Sequence, residues 1–341
     1  MIRIAIDGMG GDRAPGVIVD GVVQAANDCD YELILVGDQS ALKHELNKYQ
    51  VAGGRLFIHN ASEVVSMGES PVKAVKRKKD SSINVAIDLL KRGEVDAVVT
   101  AGNTGAAVAS ATLNLGLLKG IKRPGITVSY PSAHGISLAV DVGANLDPLP
   151  EHLLQYAIMA EIYSQCVLKK RNPSIGLLNV GEEEGKGTEK VKEAYRLLRD
   201  SGLNFIGNIE GRDFFSGRAD CVICDGFVGN VALKTIEGIT DVVGKLFKKE
   251  IKKNPLFKIG AFLCKPALEA IVKDTNYEQA GGAPLLGIDG VVIISHGGSS
   301  AKAIRNAVRV AGQSVQQKVN DQIVNEISQR DKDKKLTTPS A

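Results

Sequence analysis

The sequence contains no tryptophan, and aromatic residues make up only 4% of its 341 positions. Proteins that hold single-stranded nucleic acid without sequence preference stack its bases on aromatic side chains. A surface of that kind is therefore not expected here. The formal net charge of +3 is also too small for a general polyanion binder, so the sequence predicts no nucleic-acid partner.

Cysteine is scarce too, with five copies that cannot all pair with one another. Most of them lie in apolar stretches, which is typical of the reduced interior of a cytoplasmic protein. Cys221 and Cys224 have the spacing of half a zinc site, but no second pair of ligands accompanies them and both fall in a predicted strand. We therefore interpret them as core residues and expect no metal site.

The sequence also lacks a signal peptide and a uniformly apolar run. Its first residues pass straight into an apolar strand, without the basic segment that opens a signal peptide. Residues 97–118 carry no charge, but they include threonines, asparagines and serines that hydrocarbon would not tolerate. We therefore expect a cytoplasmic protein in which this run is buried.

Short apolar runs bounded by Gly, Asp and Asn alternate with longer amphipathic stretches, a pattern typical of βαβ units. We find neither an internal repeat nor a linker. The pattern predicts a single α/β domain over residues 1–328, built as a doubly wound, mostly parallel, Rossmann-like three-layer sandwich. A helical excursion is expected near residues 240–275, and residues 329–341 are expected to form a disordered tail.

Glycine, by contrast, is abundant, with 37 copies, and its clusters directly follow predicted strands. One such cluster is typical of an ordinary turn. Turns alone do not need Asn, Asp, Lys and His among the glycines, so the set favours a ligand site. If the strands are parallel, these loops meet at one sheet edge. The clusters are Asp7-Gly-Met-Gly-Gly-Asp12, Thr100-Ala-Gly-Asn-Thr-Gly105, Asp141-Val-Gly-Ala-Asn145, Asn179-Val-Gly-Glu-Glu-Glu-Gly-Lys-Gly187, Cys224-Asp-Gly-Phe-Val-Gly-Asn230 and Ser295-His-Gly-Gly298.

Backbone N–H groups in glycine-rich turns and at helix N-termini suit an anion such as phosphate. Lys186 is the candidate point charge for it, although a solvated lysine beside the acidic run 182–184 is the alternative. The glycine spacings match neither a P-loop nor a dinucleotide fingerprint, so neither ATP nor NAD is indicated. His296 is interpreted as either a substrate donor or a cap at the end of a strand.

Two basic stretches remain. Lys76, Arg77, Lys78 and Lys79 lie near the start of a predicted helix, and residues 245–265 hold seven lysines against one glutamate. A solvated helix face is the default interpretation of both. The second stretch is interleaved with apolar residues that include Leu256, Phe257 and Phe262, a pattern also found on membrane-binding or partner-binding helices.

Taken in order, these motifs resemble the bacterial phosphate acyltransferase family PlsX. Besides the clusters above, Lys-Lys-Asp-Ser-Ser (78–82) and Gly-Gly-Ala-Pro-Leu-Leu-Gly (281–287) carry the resemblance, which runs from residue 1 to about residue 320. It implies an enzyme that converts an acyl-(acyl carrier protein) thioester and inorganic phosphate into an acyl phosphate for phospholipid synthesis. It also implies a sandwich akin to phosphotransacetylases and isocitrate-type dehydrogenases, a homodimer, peripheral membrane association and no cofactor.

The resemblance assigns expected roles to individual residues. Lys186 would hold or activate phosphate, and Asn230 would orient it or donate to the developing oxyanion. Further substrate contacts are expected from Asp12, Asn103, Thr104, Gly105, Asn145 and His296.

The expected partners follow from the same resemblance. The acidic carrier protein is expected to dock on Lys76, Arg77, Lys78 and Lys79, and the membrane to meet Leu256, Phe257 and Phe262. A glycerol-3-phosphate acyltransferase would act downstream. Three alternatives remain open: a phosphotransacetylase that uses coenzyme A thioesters, a metal-dependent hydroxyacid dehydrogenase, and a non-catalytic scaffold that docks the carrier protein at the membrane.

Overall fold

A computed structural model describes residues 1–50, 54–266 and 281–337, and in these residues one sheet has helices on both faces. The strands are β1 (Ile2–Asp7), β2 (Tyr31–Gly37), β3 (Leu56–Asn60), β4 (Ala97–Thr100), β5 (Gly125–Ser132), β6 (Gly135–Val140), β7 (Ile175–Leu178), β8 (Phe205–Ile209), β9 (Cys221–Ile223), β10 (Ala283–Leu286) and β11 (Val291–Ile294). The helices are α1 (Gly16–Asp28), α2 (Gln39–Leu46), α3 (Pro71–Arg77), α4 (Ser82–Lys91), α5 (Thr104–Asn114), α6 (Pro150–Cys166), α7 (Glu189–Arg199), α8 (Gly226–Lys253), α9 (Pro255–Leu263), α10 (Ala301–Gln316) and α11 (Val319–Thr337).

The strand order is β3-β2-β1-β4-β11-β10-β5-β6-β9-β7-β8. The first five strands are parallel, and so are the last four. Between them the pairs β11–β10, β10–β5 and β5–β6 are antiparallel, so the two parallel blocks run in opposite directions. The predicted mostly parallel α/β sandwich is confirmed.

This reversal corrects one expectation about the glycine clusters. The sequence analysis places all of them after strands of one direction, whereas the structure divides them into two sets. One set follows β1, β4 and β11, and the other follows β6, β7 and β9. We call them the first loop group and the second loop group.

The core forms two layers because successive strand residues face opposite sides of the sheet. On one face, Ala5 of β1 and Ala139 of β6 pack in a single cluster with α3, α4 and α5. On the other face, Ile4 and Ile6 pack with α1 and α10, while Leu138 packs with α6, α7 and α11. Helices therefore cover both faces and leave the strand ends free for loops.

Three elements differ from the sequence-based expectations. The pattern does not predict β10, because its apolar run contains Pro284 and stands between glycines. The apolar periodicity over residues 299–327 predicts one helix, but the structure has two, since Lys318 has a left-handed φ of 50° at a point without Gly or Pro. Residues 329–337, expected to be disordered, continue α11, because no helix breaker precedes Pro339.

The helical excursion begins in α8. Leu233 and Ile236 pack against the core, whereas most of the large apolar residues that follow are exposed, namely Ile239, Val242, Val243, Leu246 and Phe247. α9 follows after Asn254, whose side chain caps it by accepting the Leu256 N–H at 2.9 Å. Residues 267–275 of the expected excursion lie outside the described residues. Within the described part, no helix combines the length and apolarity needed to cross a membrane.

Candidate functional site

The first loop group is held together by backbone hydrogen bonds. The N–H of Asp12 donates to the Gly297 carbonyl at 2.9 Å, and the N–H of Ser295 donates to the Thr100 carbonyl at 2.7 Å. The Asp12 carboxylate lies against Gly297 and Gly298. The structure therefore places the predicted residues Asp12 and His296 in adjoining loops.

Asn103 is the N-cap of α5, and its side chain is occupied by structural contacts. Its Oδ1 accepts the Ala106 N–H at 3.0 Å, and its Nδ2 donates to the Met67 carbonyl at 2.9 Å. These bonds cap the helix and fix the loop before α3. The N–H groups of Thr104 and Gly105 make no hydrogen bond within the described chain, so they are the groups at this helix start that can face an anion.

Asp7 lies beneath this group as a buried carboxyl. Its Oδ2 accepts the Thr100 hydroxyl hydrogen bond at 2.7 Å, and its Oδ1 accepts the Met9 N–H at 3.3 Å. Burial raises the pKa of Asp7, while these hydrogen bonds oppose the rise. Through these two hydrogen bonds, the Asp7 carboxyl stabilises the loops that follow β1 and β4.

The second loop group is organised around Asp141, which is fully buried. Its carboxylate accepts four backbone N–H groups at 2.7 to 3.1 Å, from Ile126, Gly143, Ala144 and Asn145. Burial raises the pKa of Asp141, and these four donors oppose that effect. The loop after β6 is thereby folded tightly around one side chain.

Helix α8 packs directly on this loop. A Cβ atom added to Gly229 would lie 2.0 Å from the Asp141 carbonyl oxygen, so no larger residue permits this approach. The next residue, Asn230, is exposed, and its side chain lies about 3.8 Å from where a Cβ on Gly143 would stand. Its amide makes no hydrogen bond within the described chain and is available to a ligand.

Asn145 does not face the pocket as expected. Its Nδ2 donates to the Pro124 carbonyl at 2.5 Å and to the Tyr156 hydroxyl at 2.7 Å. Tyr156 is fully buried, so the amide points into the protein. Asn145 is therefore a residue that positions the loop rather than one that offers its amide N–H groups to a substrate.

We expect Asn145→Ala to lower the free energy of unfolding by about 1–3 kcal/mol, because it leaves the Pro124 carbonyl and the Tyr156 hydroxyl without their donor. Urea denaturation measures the change. Thr104→Ala, at an exposed position, is the control and should stay within ~0.5 kcal/mol of the wild type. An Asn145→Ala protein as stable as this control would contradict the positioning role.

Lys186 lies in the loop between β7 and α7 and is exposed. The Asn179 side chain fixes this loop by donating to the Lys186 carbonyl at 3.0 Å, and Gly187 turns it with a φ of 89°. Glu182 pairs with Arg212 and Arg218, and Glu184 pairs with Arg199. Within the described chain the Lys186 ammonium makes no ion pair, so its charge is available to an anion.

A contact between α8 and the loop after β11 joins the two loop groups. Lys234 Nζ lies 3.4 Å from His296 Nε2. Lys234 comes one helical turn after Asn230, so both side chains lie on the same face of α8. The sequence analysis misses Lys234, although its spacing from Asn230 in the motif could have indicated it.

Of the four basic residues predicted to dock the carrier protein, one is engaged in the fold and three are exposed. Lys78 is half-buried, and its ammonium donates to Glu69 at 2.6 Å and to the Val64 carbonyl at 2.7 Å. This contact lowers the pKa of Glu69 to about 2. Lys78 is thus engaged in the fold, a correction to its expected role. Lys76, Arg77 and Lys79 are exposed.

The predicted membrane residues are exposed on α9, where Leu256 is 71%, Phe257 54% and Phe262 74% accessible. Neighbouring apolar residues of α8 are exposed as well. A cluster of large apolar side chains exposed in this way normally marks a contact surface.

Comparison with known proteins places this geometry in a family. Residues 2–322 match the family described as "Fatty acid synthesis protein". A phosphate acyltransferase of Desulfitobacterium hafniense is 50% identical over 327 residues, covering 96% of this chain and 98% of the relative. One from Geotalea uraniireducens is 48% identical over 328 residues, covering 96% and 95%.

Solved structures show the same fold at low sequence identity. A phosphotransacetylase from Streptococcus pyogenes aligns with a TM-score of 0.61 at 18% identity, covering 92% of this chain and 94% of the other. A 4-hydroxythreonine-4-phosphate dehydrogenase from Klebsiella pneumoniae aligns with a TM-score of 0.54 at 12% identity, covering 92% and 100%. With its close relatives matched over nearly their whole length, the chain belongs to the phosphate acyltransferase (PlsX) family of acyltransferases.

Proposed function

We propose that this enzyme transfers a fatty acyl group from an acyl-(acyl carrier protein) thioester to inorganic phosphate and so supplies acyl phosphate for phospholipid synthesis. The observation that carries the proposal is the identity of about half of all residues with relatives named phosphate acyltransferase. The site agrees with it, because Lys186 and the start of α5 offer a cation and free N–H groups to an anion.

In the proposed reaction a phosphate oxygen attacks the thioester carbonyl carbon, and the carbonyl oxygen becomes an oxyanion. The C–S bond then breaks, the thiolate leaves and takes up a proton, and the acyl phosphate is released. Phosphate is itself the nucleophile, so the protein must position it and stabilise the oxyanion. Lys186 is assigned to phosphate and Asn230 to orientation or to the oxyanion.

The acyl donor calls for a test of its own, since the name of the relatives states the acceptor and not the donor. A coenzyme A thioester is the alternative. Purified protein should be given phosphate and either thioester with the same acyl chain, and acyl phosphate should be measured. Higher kcat/KM with the carrier thioester supports the proposal, and higher kcat/KM with coenzyme A selects the alternative. Absence of acyl phosphate with both donors overturns it.

Lys76, Arg77 and Lys79 are proposed to steer the acidic carrier protein toward the site. We expect Lys76→Glu with Lys79→Glu to raise the KM for the carrier thioester several-fold at low salt, because like charges slow the encounter. The effect should shrink as salt screens the charges.

The control for this docking test is Lys43→Glu with Lys91→Glu, at exposed positions on α2 and α4. An equal rise in KM for both double variants would show a general effect of net charge and no local docking surface.

The exposed apolar patch on α8 and α9 is proposed to contact anionic membrane, with burial in a homodimer as the competing explanation. Each basic residue near such a membrane adds about 1 kcal/mol, and inserted apolar side chains add to it. We expect Leu256→Ser, Phe257→Ser and Phe262→Ser together to abolish cosedimentation with anionic vesicles, while activity on soluble substrate is retained.

Val72→Ser with Leu113→Ser removes exposed apolar residues elsewhere and should leave vesicle binding unchanged. Size-exclusion chromatography with light scattering gives the oligomeric state of each variant. If the triple variant turns a dimer into monomers, the patch is the dimer interface and the membrane proposal fails.

A further inference from the structure

Two hydrogen-bond donors face each other where the loop groups meet. The Gly298 N–H donates to His296 Nδ1 at 3.1 Å. A neutral imidazole has only one acceptor nitrogen, so this bond places the ring proton on Nε2. Nε2 lies 3.4 Å from Lys234 Nζ, and an ammonium can only donate. Within the described chain, no acceptor is shared by these two donors.

We propose that His296 and Lys234 together bind a phosphate-type oxyanion, with one of its oxygens accepting from both Nε2 and Nζ. The inference rests on the proposed function, which supplies two sources of such an anion. One is the free phosphate substrate, and the other is the phosphate ester that the pantetheine arm of either thioester carries. Both present the same oxygens to the pair.

Three further observations support a site at this point. His296 is exposed and the Lys234 side chain is 53% accessible, so a ligand can reach both. Glu237 accepts from Lys234 at 2.8 Å as a surface pair on one helix, which leaves two of the three ammonium N–H donors for an anion. Asn230 stands about 6 Å earlier along α8, given the rise of an α-helix. An anion held by the pair thus lies within reach of the proposed catalytic face.

The pair also has a geometric consequence. His296 belongs to the first loop group and Lys234 follows the second. An anion bound by both residues would draw the two groups together and replace a contact between two donors by two charge-assisted hydrogen bonds.

Calorimetric titration of the full-length protein with inorganic phosphate tests the site without turnover. Lys234→Met and His296→Leu, which each remove the donor, should each weaken phosphate binding about 10-fold, the effect of one hydrogen bond to a charged group. Lys234→Arg should retain most of the binding because it keeps the charge. Lys91→Met, an exposed lysine at the end of α4, is the control. The double variant should bind phosphate about 100-fold more weakly, the product of the two single effects, because each residue donates its own hydrogen bond to the same anion.

Steady-state kinetics distinguishes the two sources of the anion. Weaker phosphate binding with an unchanged KM for the thioester assigns the site to the free substrate. Unchanged phosphate binding with a raised thioester KM assigns it to the phosphate ester of the donor. If both quantities stay within two-fold of Lys91→Met while circular dichroism shows folded variants, the inference is overturned. A wild-type protein that binds phosphate through this pair but forms no acyl phosphate would overturn the proposed function alone.

Discussion

Lys186→Ala should lower kcat/KM for phosphate by about 100-fold or more, which corresponds to about 2.7 kcal/mol of lost transition-state stabilisation. The reason is electrostatic. The neighbouring acids Glu182 and Glu184 pair with arginines, so the Lys186 ammonium is the charge that this loop can direct toward an anion. The side chain is exposed, and its loss should leave the free energy of unfolding within ~0.5 kcal/mol of the wild type.

Initial rates at limiting phosphate, together with urea denaturation, check both parts of this prediction. Lys192→Ala, on α7 shortly after the loop, removes a lysine that pairs with Glu189 on the surface and should be nearly silent. Near wild-type turnover of Lys186→Ala at limiting phosphate would show that Lys186 does not bind phosphate and is a solvated surface lysine.

The sequence pattern predicts most of the fold because hydrophobic periodicity marks each strand and helix separately. Hydrophobic periodicity does not give the direction of the strands, because direction depends here on how β10 pairs with β11 and β5. Pro284 and the surrounding glycines hide β10 from any periodicity analysis. Without that strand the reversal is invisible, and the glycine clusters are assigned to one set instead of two.

Residue type similarly identifies candidate site residues without showing where they point. Asn103 and Asn145 stand in glycine clusters just as Asn230 does, yet the structure uses the first as a helix cap and the second to bind Tyr156. Lys78 is half-buried and paired with Glu69, whereas the adjacent Lys79 is exposed. These differences depend on which groups each side chain meets in the folded chain, and residue type alone does not specify them.

Asn230→Ala should lower kcat by about 10²–10³-fold with little change in either KM, the effect of removing one donor to a developing oxyanion. The neighbours of the Asn230 side chain support its assignment as the oxyanion donor. Gly229 sets α8 against the Asp141 loop, and this places the Asn230 amide beside Gly143 without a partner in the described chain. The backbone that carries the amide is thus fixed before the substrate arrives, and the amide donors are free for an oxyanion.

Thr235→Ala is the matched control on α8, because Thr235 is exposed and its hydroxyl donates to the Val231 carbonyl of its own helix. Asn230→Asp is the sharper variant, since it keeps the shape but replaces the donor by a negative charge. It should be at least as inactive as Asn230→Ala if the amide donates to an oxyanion. A variant Asn230→Asp that retains most of its kcat would show that the side chain acts as an acceptor, and the oxyanion role would then pass to the free N–H groups at the start of α5.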